Sequence, residues 1–259
     1  MQKCRSEMKK YKVLSCTSFL VIIVIWCVIT YGGIVTELFV PSPSAVIDKV
    51  IEGATDGSLW ANCWISTKRV MIGWALAAVV ALPCGMIMAR SKVFNAIIQP
   101  IMEFARYLPV VALVPLTILY VGIDEGQKYL IIFLGVFFQL VLMIQDTVSG
   151  IDKNQINAAR TLGANKWQVY KEVIFKASLP GVLDDFRMTI GWGWTYLVVA
   201  EMVAASSGLG YIILKSQRFM GTDVIFMGLI FIGLIGLATD FLMRIITRLV
   251  VPWYKRLDQ

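Results

Sequence analysis

Twenty consecutive uncharged residues lie between Arg69 and Arg90 and read Val70-MIGWALAAVVALPCGMIM-Ala89. A helix needs about 20 mostly apolar residues to cross the hydrocarbon core of a bilayer. Five further apolar runs of similar length lie on either side of this one: Val13–Thr36, Tyr107–Ile123, Tyr129–Gln145, Met188–Ala205 and Val224–Thr239. Glu201 interrupts the run Met188–Ala205. The sequence therefore predicts an all-α polytopic membrane protein with about six transmembrane helices.

The composition agrees with this class. The 259 residues are 58% hydrophobic and 16% charged, whereas a soluble domain is about 45–50% apolar and about 25% charged. Burial of all six runs inside a large soluble protein is the weaker interpretation. The chain contains no histidine, which excludes a catalytic His dyad or triad and any His-ligated metal or haem.

The distribution of basic residues predicts the orientation. With the N-terminus inside, the inner segments 1–12, 90–106, 146–187 and 244–259 hold 18 of the 24 Lys and Arg residues. This bias follows the positive-inside rule, so both termini are predicted to be cytoplasmic. The net charge of +7 is then accounted for without a nucleic-acid partner.

The spans divide the chain into five regions. Residues 1–12 form a cytoplasmic tail, 13–36 a first transmembrane helix, 37–69 an outer elbow with an amphipathic helix capped by Ser44, 70–243 the transmembrane core, and 244–259 a second cytoplasmic tail. The first run is too long for a signal peptide and no small-residue cleavage site follows it, so we expect it to be retained.

The 42-residue inner segment 146–187 has helical patterning of its own. Asp152 with Gln155 predicts the start of one short helix, and Gly163 predicts the elbow after it. Asn165 with Gln168 predicts the start of a second helix, which we expect to end at Leu179-Pro180-Gly181. Its predicted apolar face comprises Trp167, Tyr170, Val173, Ile174 and Ala177.

This segment resembles the EAA loop of bacterial ABC importer permeases. It reads NAARTLGANKWQVYKEVI over 157–174 and ASLPG over 177–181. Other stretches resemble the nitrate/sulfonate/taurine-type branch of that family: AEMVA at 200–204, GLG at 208–210, Leu108-Pro109, YVGI at 120–123 and PW at 252–253. The resemblance covers nearly the whole chain after about residue 39.

The resemblance implies that the loop docks into a groove of a separate ATPase subunit. The residues expected to couple the two proteins are Asn157, Ala158, Ala159, Gly163, Ala164 and Trp167. Asn157 stands where the family has glutamate, and Lys176 replaces the first proline of its closing segment. Neither change indicates an inactive protein, because the glycine elbow and the apolar face are present.

Four residues are candidates for the translocation pathway: Pro109, Pro115, Tyr196 and Glu201. Prolines bend membrane helices and occur where neighbours or a cavity satisfy the freed backbone groups, although packing alone also accounts for them. An intramembrane acid is costly and is therefore a functional candidate. Glu201 is equally consistent with a structural role near the outer end, paired with Arg218 or with a binding protein.

The resemblance predicts a non-catalytic permease subunit of an ABC importer in the inner membrane. ATP and Mg²⁺ are expected on a partner ATPase, because the chain lacks a G-x-x-x-x-G-K-[ST] run. The other expected partners are an external solute-binding protein and a second permease copy. The expected substrate is a small anion such as a sulfonate, taurine or nitrate. A heteroaromatic vitamin precursor is the alternative, and a membrane enzyme or a passive channel fits the residues less well.

Overall fold

The computed structural model describes residues 2–253, without the side chains of residues 2–13, 15, 16 and 204. The last six residues of the predicted C-terminal tail and all side chains of the predicted N-terminal tail therefore lie outside the described residues. Between them, the described chain forms the following helices: α1 Gln2–Tyr31, α2 Pro43–Thr55, α3 Ser58–Arg90, α4 Lys92–Ala105, α5 Val110–Val121, α6 Glu125–Ser149, α7 Lys153–Thr161, α8 Lys166–Gln168, a π-helix Val169–Phe175, α9 Lys176–Ala204, α10 Leu209–Arg218 and α11 Thr222–Val250.

Three of these helices are long and apolar enough to cross a membrane, namely α3, α6 and α11, with 33, 25 and 29 residues. The pair α4 and α5, whose two halves are bent by 100°, counts as a fourth crossing only if it forms one span. The apolar part of α1 covers Thr17–Tyr31, and the helix ends before the positive-φ Gly33. The all-helical class is confirmed for the described residues.

The predicted third span is not one straight helix. Its run begins at Tyr107, but α4 ends at Ala105 and α5 begins only at Val110. Pro109 has extended backbone angles at the break, and a residue that precedes proline is disfavoured in the α conformation. Pro115 lies inside α5. At about 1.5 Å per residue, the 12 residues of α5 are too short to cross a bilayer core alone.

One compact unit comprises residues 1–61 and 212–230. Within it, the indole N–H of Trp26 donates to the Pro41 carbonyl at 3.0 Å, and the Trp26 ring stacks on Phe226 at 5.9 Å. The outer amphipathic helix begins at Pro43 with Ser42 as its cap, so the prediction of Ser44 as the cap was wrong. Proline at the first helical position is favourable because its missing N–H has no partner there.

The second unit comprises residues 62–211 and 231–259. Its core is built on α6, where Val136, Leu140 and Ile144 are fully buried. The cluster around them also contains Ala77 and Ala81 of α3. Without hydrophobic driving force between helices in lipid, close packing through small residues holds membrane helices together.

Glycines set the closest approaches to α6. A Cβ at Gly85 would lie 2.8 Å from both the Ile144 Cβ and the Val141 carbonyl oxygen. A Cβ at Gly135 would lie 2.3 Å from the ring of Tyr196. At these positions α3 and α9 touch α6 so closely that no side chain fits between them.

A valine at Gly85 is therefore expected to lower the free energy of unfolding by about 1–3 kcal/mol, the usual range for overpacking. The matched control is Gly191→Val in α9, where no described atom lies within 4 Å of the new Cβ. Thermal unfolding in detergent, followed by tryptophan fluorescence, measures both variants. Equal losses in the two variants would contradict the close α3–α6 contact.

Candidate functional site

The predicted first short helix of the inner segment is present as α7. The Asp152 carboxylate caps it by accepting from the Asn154 N–H at 2.9 Å. At the other end, the N–H of Ala164 donates to the Ala159 carbonyl at 3.1 Å, and that of Gly163 to the Arg160 carbonyl at 3.0 Å. These two bonds define a Schellman motif. Gly163 has a φ of +84°, a conformation that disfavours any residue with a Cβ.

The second helix starts as predicted. The Asn165 side chain accepts from the Gln168 N–H at 2.9 Å, and the Gln168 side chain accepts from the Asn165 N–H at 2.8 Å. This reciprocal capping box satisfies two N–H groups that have no partner within the helix. The elbow between α7 and α8 is thus held by backbone and capping bonds at both of its ends.

The helix does not end at Leu179-Pro180-Gly181, so that prediction was wrong. It continues through the π-helix Val169–Phe175 into α9 and reaches Ala204. Pro180 has no N–H to donate to the preceding turn. The Ser178 hydroxyl donates to the Phe175 carbonyl at 3.1 Å and so supplies a donor at this junction.

The π-helix also changes which side chains face inward. Val169 and Ile174 are buried, whereas Trp167, predicted on the same apolar face, is 68% exposed and stacks on Tyr170. Ala177 is exposed as well. A π-helix holds its bonds five residues apart rather than four, so spacings of three and four no longer describe one face.

The elbow has an inner and an outer side. Ile156, Ala159, Ala164 and Tyr170 pack against the core cluster. Leu162 is 88% exposed and was missed by the sequence analysis, although a large apolar residue directly before a helix-ending glycine was the available signal. We call the outward-facing residues the elbow surface: Asn157, Ala158, Leu162, Gly163 and Trp167.

Lys176, the departure from the family pattern, has a partner. It forms an ion pair with Glu172, four residues before it. The hydrogen bond and the charge of Lys176 hold the pKa of the Glu172 carboxyl below its ordinary value. Both side chains are about half exposed, so the pair contributes little to stability.

Glu201 is fully buried, with an exposure of 0%. Its carboxylate accepts from Arg69 Nη1 at 2.8 Å, from the Ser66 hydroxyl at 2.8 Å and from the Gly210 N–H at 2.8 Å. The prediction of Arg218 or a binding protein as its partner was therefore wrong. We call this set, with Glu125 and Ser207, the Glu201 network.

Arg69 joins three parts of the second unit. Its guanidinium also pairs with Glu125 at the start of α6 and donates to the Ser207 carbonyl at 2.6 Å. A Cβ at Gly208 would lie 2.2 Å from the Glu201 carboxylate, so glycine is required there. The network fastens the loop between α9 and α10 onto α3. Its buried groups are all engaged, which indicates a structural role for Glu201 more than contact with a solute.

A cavity of about 210 Å³ lies at the break between α4 and α5. We call it the break cavity. Tyr196, predicted to line the pathway, does line it, and the neighbours of Pro109 on both sides do so as well. Pro115 and Glu201 do not line it. Its full lining is Ala105, Arg106, Leu108, Val110, Leu134, Gly135, Phe138, Gln139, Trp192 and Tyr196.

Comparison with known proteins identifies the family. Residues 81–256 match the family described as "Binding-protein-dependent transport system inner membrane component". The chain is 31% identical over 257 residues to the taurine transport system permease protein TauC of Escherichia coli K12, covering 97% of this chain and 94% of the relative. It is 34% identical over 233 residues to the putative aliphatic sulfonates transport permease protein SsuC of Bacillus subtilis 168, covering 90% and 84%.

A solved structure has the same fold. The methionine ABC transporter MetNI, in inward-facing conformations, superposes with a TM-score of 0.61 at 22% identity, covering 74% of this chain and 97% of that chain. The family resemblance inferred from the sequence is thus confirmed by the matched domain and by relatives aligned over most of the chain. The chain belongs to the binding-protein-dependent transport system inner membrane components, which are the non-catalytic permease subunits of ABC transporters.

Proposed function

We propose that this permease forms half of a translocation pathway for a small anion, driven by a separate ATPase that docks on the elbow surface. The observation that carries the proposal is the exposure of two large apolar side chains, Leu162 at 88% and Trp167 at 68%, beside a rigid glycine elbow. An exposed apolar patch with a polar rim is typical of a protein interface. Trp is enriched among the residues that carry the binding energy of interfaces, and Leu162 extends the apolar area beside Trp167.

The proposed topology has six spans with both termini in the cytoplasm. In this arrangement α4 and α5 together cross the membrane once, and α9 crosses it despite Glu201, whose charge is paired in the interior. The elbow surface then faces the cytoplasm, where an ATPase has access to ATP. The excess of basic residues in the inner segments supports this orientation.

The continuous helix from Lys166 to Ala204 supplies a route for coupling. The chain has no phosphate-binding loop of its own, so ATP and Mg²⁺ bind to the partner in this proposal. When ATP closes two partner subunits, their docking sites move the elbow surfaces. The α8–π–α9 rod transmits that movement to Trp192 and Tyr196 at the break cavity. This is a rigid-body transition between two packed states.

The proposed substrate is a small oxyanion, because relatives named for taurine and aliphatic sulfonates align over most of this chain. We further propose that an external solute-binding protein delivers it and that two copies of the chain enclose the pathway in the inner membrane. A closed two-fold arrangement is the commonest way for identical subunits to assemble.

The docking proposal is tested by the double variant Leu162→Glu/Trp167→Glu. Co-purification of the ATPase with the full chain is expected to fall more than about tenfold, since losing two buried apolar anchors costs an interface at least about 1.4 kcal/mol. The matched control is Phe39→Glu, also exposed, at 67%, but in the outer segment. If the double variant co-purifies as much ATPase as the unmodified chain does, the proposal that the ATPase docks on the elbow surface is wrong.

A further inference from the structure

The break cavity lies halfway along the two helices that form its wall. Leu134, Gly135, Phe138 and Gln139 occupy the middle of α6, which runs from Glu125 to Ser149. Trp192 and Tyr196 lie near the middle of α9. In the proposed topology α4 and α5 cross the membrane together, so the cavity at their break lies within the membrane. Transporters commonly bind solute inside the membrane, beside interrupted helices.

The cavity carries one full positive charge. Arg106 caps the C-terminus of α4 and lines the cavity, and none of the other lining residues is charged. A hydrogen bond of 2.9 Å to the Tyr107 hydroxyl holds its guanidinium, which also lies 4.8 Å from the centre of that ring. The nearby acid Glu103 is engaged with the Gln99 amide at 2.8 Å.

The helix break adds a second electrostatic contribution that favours a bound anion, namely the N-terminus of α5. Val110, the first residue of α5, lines the cavity, and no side chain caps this helix. The free N–H groups and the dipole at a helix N-terminus attract anions. The C-terminus of α4 contributes the opposite partial charge, about half a unit. The full charge of Arg106 exceeds that partial charge, and no carboxylate is among the residues that line the cavity.

Two hydrogen-bond donors remain available for a bound molecule. Within the described part of the chain, neither the Gln139 amide nor the Trp192 indole N–H has a hydrogen-bond partner in the structure. Both side chains are only partly buried, as expected for groups that line an open cavity. Phe138 and Tyr196 provide apolar walls. A few placed polar groups within an apolar wall are typical of small-molecule sites.

The volume limits the size of the ligand. A protein cavity of about 150 Å³ accommodates one benzene molecule, and the break cavity measures about 210 Å³. We propose that the break cavity binds a small monoanion with a compact oxyanion head, held by Arg106 and by the donors of Gln139 and Trp192. This inference rests on the proposed function and assigns a transient binding site for the solute within the pathway.

The first experiment needs no variant and uses the full chain in lipid nanodiscs. Methanesulfonate and methanesulfonamide have nearly the same shape, but only the former is charged. By isothermal titration, methanesulfonate is expected to bind about ten- to hundredfold more tightly, because only the sulfonate adds a full negative charge opposite the Arg106 guanidinium. Equal binding of the two probes, or tighter binding of neutral aminopyrimidine, would overturn the inference.

The second experiment tests whether the anion binds at Arg106. Arg106→Gln is expected to weaken methanesulfonate binding by at least about tenfold, and Arg106→Lys by less, because lysine keeps the charge but not the forked geometry. The matched control Lys92→Gln removes a charge from the other end of α4, away from the cavity, and is expected to bind normally. A loss in Lys92→Gln equal to that in Arg106→Gln would show a general charge effect and overturn the assignment.

The two proposals fail in different ways. Titration with the purified chain reports on the break cavity alone, whereas recovery of the ATPase reports on the elbow surface alone. Charge-selective anion binding, together with ATPase recovery that the Leu162→Glu/Trp167→Glu variant leaves unchanged, would sustain this inference and refute the docking proposal. Loss of ATPase recovery in that variant, together with no discrimination between the two methane-derived probes, would do the reverse.

Discussion

Replacing Arg69 with methionine is expected to lower the free energy of unfolding by about 3–5 kcal/mol, the usual cost of removing one partner from a buried ion pair. Arg69 is 2% exposed and Glu201 is 0% exposed, so no water replaces the lost guanidinium. The carboxylate would remain buried without its counter-charge. The loop that carries Ser207 would also lose the donor to its carbonyl.

The matched control for this prediction is Lys68→Met. Lys68 adjoins Arg69 on α3 and has the same charge, but its side chain is exposed. Thermal unfolding of the purified full chain in detergent measures both variants. Arg69→Met should unfold at a clearly lower temperature than the control, and equal melting temperatures would mean that the Glu201 network does not stabilise the fold.

A second substitution separates charge from packing. Adding Glu201→Gln to Arg69→Met is expected to recover part of the lost stability, because a neutral amide no longer leaves a buried charge unpaired. Recovery should be incomplete, since the amide accepts fewer bonds than the carboxylate from Ser66 and Gly210. Additive losses in the double variant would refute the ion pair as the source of the effect.

Replacing Gly163 with arginine is expected to reduce solute uptake more than about tenfold while the permease still folds. A Cβ at φ +84° is strained by about 1–2 kcal/mol, and the long charged side chain projects from the elbow surface into the docking partner. Because the strain is present in both the free and the docked permease, the loss of docking comes from the collision, and a cost of about 1.4 kcal/mol there is about a tenfold change in affinity. Transport by proteoliposomes that contain the full transporter measures the effect, with ATP hydrolysis followed in parallel.

The control at the same position is Gly163→Asn. Asparagine tolerates the left-handed conformation better than other residues with a Cβ, and its side chain is short. No described atom lies within 4 Å of the new Cβ, so both variants fit the isolated chain. Gly163→Asn should keep most of the uptake. Normal coupled uptake by Gly163→Arg would remove Gly163 from the coupling mechanism.

The elbow was predictable because its structure is local. The capping by Asp152 and Asn165 and the turn at Gly163 depend on bonds between residues that are at most five apart. The same reasoning failed at Pro180, which lies inside α9, five residues after an inserted π-helix. Proline is a strong breaker in sequence patterns, and whether a helix tolerates it depends on packing that a pattern does not show.

Among the four candidate pathway residues, the sequence could identify chemistry but not position. Glu201 stood out as an acid in an apolar run, yet its partner Arg69 lies 132 residues away. The break cavity combines residues of α4, α5, α6 and α9, and Arg106 had been counted only as an inner positive charge. No spacing rule relates residues on four separate helices.

Hydropathy, charge and local capping by themselves determined the all-helical membrane class and the elbow of the inner segment, while the motif residues 157–181 carried the resemblance to a permease family. The class and the elbow follow from transfer free energies and from bonds between near neighbours, both of which depend only on the order of residues along the chain. Only the tertiary structure decided that Glu201 is neutralised by Arg69, that α4 and α5 are bent by 100°, and that Arg106 faces a cavity with Trp192. The ion pair and the cavity depend on how closely helices approach in three dimensions, and beside the cavity that distance is set by the contact of Gly135 with Tyr196.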